Sequence, residues 1–348
     1  MITPTLRSAH LSVIAAWLQP KPSSVSPFAL KQGILGMATY EPEESDHTNA
    51  MPRLTPMRWF VVLAAITIGL ALVLPPDPHT VQQLHTTPTA FRLAIAALLI
   101  PYVVIWYLSF FAFDKLQCYS RPLRKSQDGA AFHTITAGMG ALSFSLVLPT
   151  TLALILNEIA AHDAGFTAPA AIINNYTSIF PALVSFLIIY NGARELVRTT
   201  KGAAERLDLR WYTPWYLLLS VVFSHLTIGN QYRLHPYHLP LWLLIVSIIV
   251  PYLYAWAIGL LTTYALSTYA KTVSGLLYRK AVRQFAHGIA VTIFGSIAIQ
   301  FVNITLAKRF SHSLGAILLI DYLLLTIVAV GLGLMALGTK KLQRIEEI

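Results

Sequence analysis

Few side chains in this chain could do chemistry, and the most pointed is Asp321, a carboxylate about seven positions into a long apolar stretch, where an ionised group is costly unless it faces a bundle interior or a water cavity. In that setting it would couple a proton or cation, or anchor a cationic ligand. Its plainer role is an interfacial ion pair with Lys308, Arg309 or His312. Glu158, beside Asn157, stands one helical turn before His162, so the two can share a face as a hydrogen-bonded pair. Gln300 and Asn303 are three apart on another helix face, and amides commonly bond between helices inside a membrane. Asp321, Glu158, Asn157, Gln300 and Asn303 are the expected polar lining of a solute or ion pathway.

Imidazole is the usual transition-metal ligand and titrates near neutrality, which draws attention to His225, His235 and His238. They are weak metal candidates. Pro236 stiffens the turn between the last two, and the single cysteine, Cys118, excludes a multi-cysteine centre and an intramolecular disulfide. No stretch has a lysine deep inside it for a Schiff base, and no pair of histidines is placed to hold a haem. Residues 333 to 340 carry glycines at P-loop spacing but read Gly-Thr-Lys at their end, where Gly-Lys-Ser/Thr is required. Neither Gly-x-Ser-x-Gly nor His-Glu-x-x-His occurs. The sequence therefore points to no cofactor and to no enzyme class.

The elements that must position these groups are apolar helices. The chain has 348 residues, of which 55% are hydrophobic and 11% charged, with a mean hydropathy of +0.60. A soluble domain carries roughly 25% charged residues, so one soluble core cannot hide this much apolar surface. Eight long apolar stretches follow one another, at 59 to 76, 93 to 113, 134 to 157, 176 to 193, 212 to 229, 239 to 266, 285 to 306 and 314 to 337. Backbone groups inside lipid must be satisfied internally, so stretches of this length are helices.

Basic residues stay on the cytoplasmic side of a membrane. With eight spans and both termini cytoplasmic, all but Arg92, Arg233, Lys308 and Arg309 of the 25 Lys and Arg fall on the inner face. The formal charge of +10 is then a topology signal and a match to anionic headgroups of the bilayer, not a nucleic-acid footprint. Residues 1–58, rich in Ser, Pro and acidic side chains, read as a largely disordered cytoplasmic extension. Residues 59–337 read as the bundle and 338–348 as a short basic cytoplasmic tail. A cell (plasma or inner) membrane is the expected location.

One further pattern organises the bundle. Pro101, Tyr102, Trp106, Leu116, Tyr119, Ala131 and Gly138 recur 150 positions later as Pro251, Tyr252, Trp256, Leu266, Tyr269, Ala281 and Gly288. A fainter copy at an offset of 80 places Pro181 on Pro101. The expected fold is accordingly all-α: a polytopic integral membrane protein of about eight transmembrane helices, built from parallel two-helix repeats. Pro101, Pro181 and Pro251 are its expected kinks, each freeing the carbonyl four residues earlier. Parallel repeats with an intramembrane carboxylate favour a small-solute or ion transporter. The alternative is a non-catalytic sensor or scaffold, with a closed apolar core and a partner at one face.

Overall fold

The computed structural model describes residues 55–74, 87–201, 218, 222, 240–310 and 314–346. They form seven long helices: α1 (Pro56–Val73), α2 (Pro88–Ser120), α3 (Gln127–His162), α4 (Thr167–Lys201), α5 (Leu241–Thr272), α6 (Leu276–Phe310) and α7 (Leu314–Glu346). There is no strand among the described residues. Four helical segments, Pro56–Val73, Pro88–Ser120, Asp128–Ala160 and Leu318–Ile345, are long and apolar enough to cross a membrane. Helices α4, α5 and α6 cover the stretches expected at 176 to 193, 239 to 266 and 285 to 306, with α5 starting two residues later than expected. The stretch at 212 to 229 lies outside the described residues but for Leu218 and Val222. Helix α7 runs on to Glu346, so most of the basic tail continues the last helix as its cationic end, next to unpaired carbonyls.

Capping residues set several of these boundaries. Thr87 accepts the Ala90 amide before Pro88, whose missing N–H costs nothing at a first helical position. Ser126 accepts the Gly129 amide to start α3, after the 3-10 turn Pro122–Lys125.

Helices α2 to α7 each pack on the next, and α7 returns to α2, so the six close into a ring. Helix α1 lies outside it against α2 and α3, where Phe60 meets Tyr107 and Phe110, and Trp59 meets Phe144 edge to face. One apolar cluster fills the interior, including Trp106, Phe110, Ile135, Met139, Ile189, Ile258, Ile289, Leu332 and Met335. Trp106 is fully buried, and its indole N–H donates to the Leu146 carbonyl at 3.0 Å, satisfying the donor a buried indole must place.

The tightest helix pairs approach through glycine. A methyl on Gly138 of α3 would lie 2.8 Å from the Ile189 nitrogen and 3.0 Å from the Ser185 carbonyl of α4; one on Gly288 of α6 would lie 2.6 Å from both the Met335 nitrogen and the Gly331 carbonyl of α7. In the reverse direction, a methyl on Gly192 of α4 would lie 2.8 Å from the Ala131 carbonyl, and one on Gly338 of α7 would lie 2.9 Å from the Ala281 carbonyl. Small residues let membrane helices approach this closely. The contacts between α3 and α4 resemble those between α6 and α7: Gly138 and Gly288 stand 150 residues apart, and Gly192 and Gly338 stand 146 apart. The same shift aligns Asn175-Tyr176 with Asp321-Tyr322. The fainter copy that places Pro181 on Pro101 has no corresponding contact among the described residues.

Candidate functional site

Pro101, Pro181 and Pro251 were the expected kinks. Pro101 is buried in α2 and frees the Ala97 carbonyl. The hydroxyl of Tyr322, on α7, donates to that carbonyl. This kink is therefore closed by a neighbouring helix. Pro181 lies inside α4 and is exposed, while Pro251 lies in α5 with its surroundings outside the description.

Asp321 precedes Tyr322 on α7 and is half-buried. Its proposed partners Lys308, Arg309 and His312 lie outside the described side chains, as do Gln300 and Asn303, although the α6 backbone carries all of these but His312. Glu158 and His162 do pair, with Nδ1 3.5 Å from Oε1 and 2.9 Å from the Glu158 carbonyl, while Asn157 is exposed beside them. His225, His235 and His238 lie outside the described residues. Among the described residues no three His, Cys, Asp or Glu gather as a metal site. Of the expected pathway residues, only Asn157 and Glu158 are seen side by side.

Among the described residues, six buried hydroxyls are turned into their own helices. Ser109, Ser143, Ser145, Ser185, Thr262 and Thr339 each donate to a carbonyl three or four residues back in their own helix. Such back-bonding satisfies a hydroxyl locally and leaves the interior apolar.

The polar constellation that does form lies at the other end of the bundle, where the helices run beyond the expected spans. A cavity of about 440 Å³ is lined by Tyr119, Leu123, Ser126, Asp128, Phe132, Thr199 and Tyr278, drawn from α2, α3, α4, α6 and the 3-10 turn. Tyr269 of α5 stands behind it, 2% exposed. Tyr119 Oη donates to Tyr278 Oη at 3.1 Å, Tyr269 Oη lies 3.2 Å from Tyr278 Oη, and Tyr269 Oη donates to Asp128 Oδ2 at 3.2 Å. A phenol has one proton to give. Since Tyr269 gives its proton to the carboxylate, Tyr278 donates to Tyr269, and the chain runs in one direction from Tyr119 to Asp128. Thr199 Oγ1 is 2.8 Å from Asp128 Oδ1 and 2.8 Å from the Leu196 carbonyl, so its proton is held between them.

The rings lock together edge to face: Tyr119 on Phe132 at 5.1 Å, Phe132 on Tyr269 at 6.2 Å and Tyr269 on Tyr278 at 6.4 Å between centroids. Burial pushes the phenols of Tyr269 and Tyr278 above the ordinary tyrosine range. Both are neutral at physiological pH, and Asp128 is the one acidic side chain lining the cavity.

Tyr119 and Tyr269 stood in the sequence as matched repeat positions, but their partners did not. Asp128 was hidden because it sits in a polar connection, where a carboxylate is ordinary. The signal was the same 150-residue spacing, which pairs Asp128 with Tyr278 as it pairs Tyr119 with Tyr269. No protein-family model matches the chain, and no curated protein or solved structure matches it significantly.

Proposed function

We propose that this is a small-solute transporter of the cell membrane, made of eight spans with both termini cytoplasmic, whose two halves are tandem copies of a four-helix unit. The observation that carries this reading is the crossed network: Tyr119 bonds Tyr278, and Tyr269 bonds Asp128. Exchanging residues 150 apart turns each bond into the other. That exchange supports a cavity at the meeting of two halves related by an axis near the membrane normal, at the inner end of the repeat interface on which transporters of repeated architecture build their solute pathways. In this reading the unit is four spans rather than two, with α1 and the stretch at 212 to 229 as its first members. Arg58-Trp59 and Arg210-Trp211 mark their starts. The basic residues that flank the lining segments in the chain, among them Arg121, Arg124, Lys125 and Arg279, support a cytoplasmic position for the cavity, beside anionic headgroups. It is then the inward-facing station for the solute.

The apolar interior and the closed kink at Pro101 favour a second reading, a sensor that binds its ligand at the inner face without passing it on. Proteoliposomes separate the two. Uptake of any member of a panel of labelled amines, amino acids, sugars and carboxylates, lost in Asp128→Asn, supports transport. Binding without uptake of any panel member would leave the sensor.

A further inference from the structure

We propose that the cavity takes a small protonated amine, whose ammonium group is held by the Asp128 carboxylate against the rings of Tyr119 and Phe132. The inference rests on the reading of this cavity as a solute station and names the class of solute. Its basis is an account of where the protons go. The hydroxyls of Tyr119, Tyr278 and Tyr269 pass their protons along the chain toward Asp128, and Thr199 gives its own to Asp128 and Leu196. Ser126 donates to the Leu123 carbonyl at 2.8 Å and accepts the Gly129 amide at 3.0 Å. Every side-chain hydroxyl lining the cavity has therefore spent its proton inside the protein. What the lining side chains offer a ligand is the negatively charged acceptor of the Asp128 carboxylate.

A ligand with acceptors of its own, such as a carboxylate or phosphate, would find no side-chain hydroxyl proton there. An ammonium group carries three donors and no acceptor. Asp128 also supplies a negative charge, and among the described residues its hydrogen bonds come from Thr199 and Tyr269 with no ion pair. Aromatic faces within about 6 Å attract a cation through their quadrupole. Phe132 and Tyr119 are both nearly buried and both border the cavity. A volume of about 440 Å³ lies within the usual range of small-molecule sites and admits an amine with a few carbons beyond its nitrogen.

An ammonium of this kind comes from a free solute or from the ethanolamine headgroup of a lipid. The test is titration calorimetry on the delipidated full chain in detergent, with ethylammonium chloride as probe and acetamide as a neutral probe of similar size. Ethylammonium is expected to bind, acetamide at least about tenfold more weakly, and Asp128→Asn to lower ethylammonium affinity by about tenfold or more. Asp128→Glu, which keeps the charge, should restore part of it. This rescue separates lost binding from a folding defect. Equal binding of the two probes, no binding of ethylammonium, or unchanged affinity in Asp128→Asn would overturn the proposal. If ethylammonium fails while another solute is taken up into proteoliposomes, the amine assignment falls and the transporter stands; binding without flux has the opposite meaning. Repeating the titration in nanodiscs with and without phosphatidylethanolamine distinguishes the sources, since a bound headgroup would compete with the probe and a free-solute site would not notice it.

Discussion

Tyr322 and Asp321 are neighbours with separate duties. The hydroxyl of Tyr322 satisfies the carbonyl that Pro101 frees, as a neighbouring helix must do for a proline inside a membrane span. Replacing Tyr322 by Phe should cost about 1–2 kcal/mol of stability, the penalty for a buried acceptor left unmet, read as a lower unfolding midpoint in detergent. Asp321→Asn keeps the shape and should leave solute uptake intact if the solute station is the Asp128 cavity; loss of uptake would return the pathway to Asp321. At the inner end, the Tyr269 and Tyr278 phenols hold their protons more tightly when folded than when unfolded. The unfolded chain releases them near pH 10 and the folded chain only above that, so the stability they contribute is complete below pH 10 and falls as pH rises past it. Denaturation at pH 8, 10 and 11 should show this decline, and Tyr269→Phe should flatten it. Residue types alone could not reveal this site. A tyrosine near a helix end is commonplace, and only the fold brings four of these groups, from four helices, into one chain of bonds.

At the scale of the helix, most of what formed was readable in the apolar runs. Stretches with about 20 apolar residues have one way to satisfy their backbone in lipid, and α2, α3 and α7 cover the segments expected of them. Their ends were less readable. Helix α7 passes through Lys340 and Lys341 into the tail because charge does not stop a helix, and Lys341 Nζ donates to Gln284 of α6 at 2.6 Å. Pairing between helices was legible only through glycine, and then only in part. Gly138 and Gly288 were matched by spacing, whereas Gly192 and Gly338 follow a different offset that a single gapless slide does not find. Each position has backbone of the neighbouring helix where a side chain would go. Gly288→Leu should force α6 and α7 apart at a cost of about 3 kcal/mol, near the upper end for overpacking, and lower the yield of folded protein. At Gly69, where nothing lies within 4 Å, the same change should be silent.

For the molecule as a whole, the lopsided placement of basic residues and the copies 150 apart together define the proposed architecture: two four-helix halves, both termini inside, and an amine site between the halves on the cytoplasmic face. The 150-residue spacing aligns residues but does not say how many helices the proposed copy contains, since the corresponding glycines of α4 and α7 stand 146 apart. The chain carries its own reporter of orientation. Cys118 is its single cysteine, is exposed, and immediately precedes Tyr119 of the cavity. The measurement that tests the account most directly is labelling of Cys118 by a membrane-impermeant maleimide in sealed vesicles of each orientation. Labelling in inside-out vesicles and protection in right-side-out ones is the predicted result, and ethylammonium should slow the labelling. Labelling in right-side-out vesicles alone would place the cavity on the outer face and contradict the topology from which the proposed function is built.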